Sequence, residues 1–196
     1  YFNIAKKPLK ARAAYDRARR ANPRDARLLY ERDQLGKRLG EPPAKRLGEL
    51  ERRLSLVMRR DDLTLELCSL YNQTGQPEMV LPIISRRKFQ PWEGGEGAAL
   101  GQHVRTYLLL GCDALRCGHA AGAYRLFKAA LATPANMGEG RHLLANQSDA
   151  HYWLGEACAA FGDRPGARSH WTAAAAFKGD FDEMSVRRFS AMTYYS

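Results

Sequence analysis

Between Ala150 and Lys178 the chain reads AHYWLGEACAAFGDRPGARSHWTAAAAFK, two apolar-periodic runs on either side of the break Phe161-Gly162-Asp163-Arg164-Pro165. Leu154, Gly155 and Cys158 fall on one face of the first run, and Ala167, Trp171 and Ala174 repeat at i, i+4 and i+7 in the second. The pattern predicts a helix hairpin. A glycine inside a helix costs about 1 kcal/mol relative to alanine, so Gly155 marks a close approach of the second helix, with Trp171 as the large residue in the same hairpin core.

The signature recurs upstream. Leu110, Gly111, Ala114, Gly118, Ala123, Phe127 and Ala130 each lie 44 residues before Leu154, Gly155, Cys158, Gly162, Ala167, Trp171 and Ala174. Leu-Gly followed by a small residue, then Ala-aromatic-Ala in the next helix, resembles the tetratricopeptide repeat. That resemblance implies an all-α fold of antiparallel helix hairpins stacked in a right-handed superhelical solenoid. The repeat is normally about 34 residues long, so about ten are inserted between these two units. They are assigned to Thr133 to Gln147, with Pro134, Asn136, Gly138 and Gly140 as turn formers.

The rest of the chain divides in the same way, into hairpins over 26–58, 61–87, 97–132 and 148–178, with half repeats over 1–22 and 182–196. Ala11, Tyr15 and Ala18 give the Ala-aromatic-Ala spacing, Pro23 ends that helix, and Asp25 is placed to cap the next. In the first full hairpin Arg32-Asp33 stands where Leu-Gly is expected, and a second helix is predicted from Ala44 to Met58 on Leu47, Leu50, Leu54 and Val57. Asp61-Asp62 is read as the cap of the following helix, where Leu67, Cys68 and Tyr71 take the places of Leu154, Gly155 and Cys158. Gly75 marks the turn into a helix from Pro77 to Arg86 carrying Val80 and Ile84. Phe89 to Gly97 is too rich in glycine and proline for helix. The whole reads as one helical domain, 1–196, excised from the C-terminal part of a longer protein.

Composition narrows the function classes. No apolar run approaches the roughly 18 residues of a membrane span, and no signal peptide is visible. Cys68, Cys112, Cys117 and Cys158 do not form a disulfide framework; they read as small hydrophobes in a reducing compartment, which points to the cytoplasm. Cys112, Cys117 and His119 lack the paired spacing of a zinc site. The five histidines, at 103, 119, 142, 151 and 170, make no HExxH, and no serine sits in a G-x-S-x-G elbow. Glu93, Glu96, Glu139 and Asp149 read as loop acids or helix caps rather than a paired acid and base. The expectation is no catalytic residue, no metal and no cofactor.

In a stacked array the first helices line the concave side. The register assigns to it Tyr30, Gln34 and Lys37; Leu65, Ser69 and Asn72; Arg105, Leu108 and Cys112; and Asp149, Tyr152 and Glu156. Mixed polar and aromatic lining suits a protein or peptide ligand. A second candidate is a loop edge formed by Trp92, Glu93 and Glu96 with Arg141, His142 and Asn146, because insertions at equivalent corners of a repeat array project on one side. The competing reading is that Phe89 and Trp92 cover the apolar ends of hairpins.

Charge is uneven. Residues 1–60 hold 18 Lys and Arg against 7 Asp and Glu, whereas the remainder holds 13 against 14. Runs such as Arg17-Ala18-Arg19-Arg20 can meet phosphates, but the interleaved acids and the lack of an aromatic-basic pattern make nucleic-acid binding the weakest class.

Asp25-Ala26-Arg27-Leu28-Leu29-Tyr30-Glu31, Arg60-Asp61-Asp62-Leu63-Thr64, Leu70-Tyr71-Asn72-Gln73-Thr74-Gly75, the Phe89 to Gly97 loop and Arg141-His142-Leu143-Leu144-Ala145-Asn146-Gln147 resemble the C-terminal repeats of a bacterial family. Its members carry an N-terminal β-rich domain of unknown function, number 5107, similar to carbohydrate-active domains. The resemblance implies that any activity lies upstream, with this chain as scaffold or substrate-side wall. Two classes remain: a repeat scaffold binding protein, peptide or the missing N-terminal domain, and an accessory module of a carbohydrate-active enzyme.

Overall fold

The computed structural model describes residues 7–90, 92–141 and 145–176. Ten α-helices run in order among the described residues: α1 Pro8–Ala21, α2 Ala26–Arg38, α3 Pro43–Glu51, α4 Leu54–Val57, α5 Asp61–Gln73, α6 Leu81–Arg86, α7 Ala98–Arg116, α8 Ala120–Ala130, α9 Ser148–Ala160 and α10 Arg164–Ala175. Short 3₁₀ turns occupy Pro77–Met79 and Ala135–Met137, and no strand occurs among the described residues. The chain divides after Gln76 into two compact units. The expected remnant at Tyr1 to Ala5 and the half repeat over 182–196 lie outside the described residues.

Four helices end in one way. Gly40, Gly75, Gly118 and Gly162 all adopt φ between 72° and 89°, the left-handed region that glycine enters without a Cβ penalty. The residue after each glycine donates its N–H back to a carbonyl five positions earlier: Glu41 to Gly36, Gln76 to Tyr71, His119 to Ala114 and Asp163 to Cys158, each at 2.9 Å. This closure satisfies carbonyls that the helix end leaves open. Its recurrence defines the register of the hairpins more firmly than the apolar spacing does.

In the first unit α1 packs on α2, and α3 packs on α5. Asp25 caps α2, its Oδ1 accepting the N–H of Arg27 at 2.8 Å and of Leu28 at 3.2 Å. Tyr15 donates its hydroxyl to Glu31 at 2.8 Å, and Arg32 reaches Asp16 at 2.9 Å, so polar contacts tie α1 to α2. The predicted single helix from Ala44 to Met58 is broken at Arg52 and Arg53, and Arg53 leaves the helical region at φ −131° and ψ 32°. Leu54 turns outward while Leu47, Leu50 and Val57 remain in the core. The Thr64 hydroxyl donates to the Val57 carbonyl at 3.1 Å, supplying a partner after the break. The expected cap at Asp61-Asp62 is also displaced: both acids lie inside the first turn of α5, where Asp62 accepts the Leu63 N–H at 2.7 Å. Negative charge there suits the positive end of the helix dipole. Leu67 and Cys68 are fully buried and Tyr71 nearly so. Burial and the hydrogen bond that Tyr71 donates to Glu51 push the phenol up to about 12.

In the second unit α7 packs on α8, α8 on α9 and α9 on α10, with α7 also touching α9. Both predicted pairs of small and large residues are present. A methyl group placed on Gly111 would overlap the Phe127 ring, and one on Gly155 would overlap the Trp171 ring. Phe127 is completely buried, in a cluster with Ala123, Leu154 and Ala157. Trp171, expected in a hairpin core, is 39% exposed. The difference follows from neighbours: α8 is covered by both α7 and α9, whereas α10 packs on α9 among the described residues. The helix predicted from Pro77 to Arg86 is a 3₁₀ turn followed by α6, with Val80 and Ile84 buried as expected.

Candidate functional site

On α2 and α5 the assigned face is largely occupied by its own polar contacts. Lys37 reaches both carboxylate oxygens of Glu66, at 3.0 and 3.1 Å, and Gln34 donates to Asp33 at 3.3 Å. Ser69 accepts from Gln73 at 2.8 Å, while Leu65 and Asn72 are each 4% exposed. Tyr30 is half-buried, and burial together with the charges of Asp62 and Glu66 raises its phenol.

Beneath this face lies an ionic cluster that the sequence reading did not assemble. Arg46, 4% exposed, makes two hydrogen bonds to Asp33, at 3.0 and 2.6 Å, and one to Glu66 at 2.6 Å. Burial pushes Glu66 up, but Lys37 and Arg46 outweigh it and hold its carboxyl below the usual range. Asp33 moves the other way, because burial there exceeds the pull of Arg46. The only sequence signal was the substitution of Arg32-Asp33 for Leu-Gly.

On α7 and α9 the candidate positions are more open. Leu108 and Cys112 pack partly against the Phe127 cluster, and burial raises the Cys112 thiol to about 11. Arg105, Asp149 and Glu156 are half-buried, while Tyr152 is 48% exposed and meets Trp153 edge to face at 5.3 Å. Burial raises the Asp149 carboxyl against the backbone N–H of Ala150 and the Arg141 charge.

The two loops meet. Asn136 accepts the Phe89 N–H through its backbone carbonyl at 2.8 Å, and its side-chain amide donates to the carbonyls of Ile84 and Arg87 at 2.7 and 2.9 Å. Glu139 accepts the N–H of Gly97 at 2.6 Å and of Leu100 at 3.5 Å, so an acid from one insertion caps the helix that follows the other. Phe89 and Met137 are buried at the junction, which gives Phe89 the covering role. Trp92 is half-buried with its ring against Gly95. Glu93 is exposed, and Glu96 accepts the Gly94 N–H at 3.0 Å. Arg141 donates to the carbonyls of Ala130 and Ala132 at 2.9 and 3.2 Å, and Asn146 accepts the Ser148 N–H at 2.8 Å. His142 lies outside the described residues.

Two histidines form a contact that sequence spacing alone did not reveal. His151 on α9, read from the sequence as a helix-surface residue, is half-buried with its Nδ1 at 3.3 Å from Nδ1 of His170 on α10. The ring centroids are 5.5 Å apart, so the two nitrogens face each other nearly head to head. Burial, and then the His170 charge, lower His151 from its usual value. His103 is lowered mainly by burial, and its Nε2 lies 2.9 Å from the Ala129 carbonyl, a contact that requires the proton on that nitrogen.

No family model matches the chain. Among solved structures it is similar to a crystal structure of MamA protein, with a TM-score of 0.57 and 13% identity over 100% of this chain and 90% of that one. A second crystal structure of MamA matches with a TM-score of 0.56 and 16% identity over 89% and 94% of the two chains. At such identities the likeness establishes the fold alone. With the glycine corners and the successive packing of α7 to α10, it makes the architecture an all-α helical repeat of tetratricopeptide type. No described helix is long and apolar enough to cross a membrane.

Proposed function

We propose that the chain is a non-catalytic repeat scaffold that holds a protein or peptide segment on the α7 and α9 side of its second unit. The observation that supports this reading is Tyr152, 48% exposed on α9 in a helix that also carries the half-buried Asp149 and Glu156. An aromatic side chain with a polar tip supplies contact area at little entropic cost, and acids on the same helix can accept peptide N–H groups or pair with a cation. A photo-crosslinking amino acid at position 152, compared with the same group at position 92, tests the reading on intact protein. Crosslinks to a protein partner from position 152 support the helix face, whereas crosslinks from position 92 alone overturn it.

A second reading, as the accessory module of a carbohydrate-active enzyme with its active domain upstream, is the one favoured by the resemblance to the proteins with domain 5107. Trp92 and the hydrogen-bonded union of the two loops support it, since an aromatic face on a braced loop suits sugar stacking or an adjoining domain. Trp92→Ala in the intact protein should then impair sugar turnover while leaving the unfolding free energy of this chain nearly unchanged. A loss confined to stability refutes that role.

A further inference from the structure

Three arginines of the first unit border one depression. Asp16, Arg19, Arg20, Pro23 and Arg53 line a recess of about 320 Å³ where the last turn of α1 approaches the link between α3 and α4. The carboxylates near it are already engaged. Asp16 is held by Arg32 at 2.9 Å, and Glu49 is divided between Arg52 at 2.5 Å and Arg53 at 3.0 Å. Arg19 and Arg20 have no ion pair among the described residues. Arg19 is half-buried; burial and then the charge of Arg53 disfavour its cation, Arg32 adds to this, and Glu49 and Asp16 partly offset it. Like charges crowded at a recess form a site for an incoming anion, because each added negative group relieves several repulsions at once.

We propose that this recess binds an acidic peptide segment, whose clustered carboxylates or phosphoryl groups pair with the guanidinium forks of Arg19 and Arg20. Planar forks match both kinds of oxyanion in bidentate fashion, and arginine clusters are a recurrent means of reading acidic or phosphorylated peptides. A peptide fits better than nucleic acid on two grounds. At about 320 Å³ the recess takes a short run of oxyanions rather than a length of phosphate backbone. None of the described lining residues is aromatic, so they offer a base no surface on which to stack.

The site is built from α1 and the α3–α4 link of the first unit, and the α7 and α9 face from residues of the second, so variants can test the two separately. Fluorescent hexaglutamate and a phosphoserine peptide of equal length are titrated into the whole protein, with a neutral peptide and a single-stranded oligonucleotide for comparison. Both acidic peptides should bind, with affinity falling as salt rises, and the tighter of the two identifies carboxylate or phosphoryl as the preferred group. Arg19→Ala with Arg20→Ala should weaken binding about tenfold or more, and Arg19→Lys should weaken it while keeping the charge. Lys10→Ala with Lys45→Ala, which removes equal charge elsewhere in the unit, should leave binding nearly unchanged. An equal loss in the lysine variant, or oligonucleotide binding as tight as the peptide, overturns the proposal. Loss of hexaglutamate binding through Arg19 and Arg20 with no effect of Tyr152→Ala supports this site whatever becomes of the α7 and α9 face.

Discussion

Asp33 and Arg46 meet through two hydrogen bonds, Nε to Oδ1 at 3.0 Å and Nη2 to Oδ2 at 2.6 Å, with both residues nearly inaccessible to water. Counting from the glycine corners, Asp33 holds the place of Gly111 and Gly155 in the later hairpins. Contact between a small and a large apolar residue is thus replaced by a buried ion pair, extended to Glu66. Removing Arg46 takes the ion-pair partner from the buried carboxylate of Asp33 and leaves Glu66 with Lys37. Arg46→Ala should cost about 3 to 5 kcal/mol in urea unfolding, whereas replacing Asp33 and Glu66 with leucine and Arg46 with methionine together should be near neutral. A loss below about 1 kcal/mol for Arg46→Ala would show the cluster is not held as described.

Gly111→Ala and Gly155→Ala should differ although both lie inside long helices. The new methyl at Gly111 meets Phe127, which is fully enclosed, so the hairpin must shift at a cost of about 1 to 3 kcal/mol. At Gly155 it meets Trp171, 39% exposed and able to swing outward, so the helix-propensity gain of about 1 kcal/mol offsets much of the clash. Phe127→Ala should likewise cost about 3 to 5 kcal/mol and Trp171→Ala clearly less. Thermal unfolding of the four variants checks the ranking, and equal losses at the two glycines would contradict it.

Acid should weaken the second unit. His103 and His151 are both held below the ordinary value of 6.5, so the unfolded chain takes up protons more readily as pH falls. Their contribution is complete above that value and is lost progressively below it. The pair of His151 and His170 also loses its hydrogen bond when both rings are charged, since neither nitrogen can then accept. His151→Gln should flatten the dependence of stability on pH below 6.5, measured by urea unfolding at a series of pH values; an unchanged slope counts against the pair.

Glu139→Ala should expose the start of α7. The carboxylate serves the N–H groups of Gly97 and Leu100 across more than one helix of intervening chain. Losing such a cap costs about 0.5 to 2 kcal/mol. Hydrogen exchange at those two amides should quicken while the amides at the centre of α8 keep their protection.

The cysteines should separate by reactivity. Cys117 is exposed, Cys112 is half-buried with its thiol raised to about 11, and Cys68 and Cys158 are buried. Near neutral pH a thiol reagent should modify Cys117 first, with the others following on unfolding, because the thiolate is the reactive form. Mass mapping after brief alkylation tests this order.

Local pattern by itself determined the class of the fold. Gly111 and Gly155, the Ala-aromatic-Ala spacing and the corner glycines are short-range features, and a hairpin is built from neighbours in the chain, so its helices and its register can be read from a few dozen residues. The break at Arg53, the ion pair of Asp33 with Arg46, the capping of α7 by Glu139 and the facing rings of His151 and His170 could be decided only in three dimensions. Each depends on which polar group finds a partner once the chain is packed, and buried polar groups choose among partners by distance in space. The same holds for exposure: Phe127 and Trp171 occupy identical repeat positions, and among the described residues α8 is packed by both α7 and α9 while α10 is packed by α9, which makes one core and the other half open.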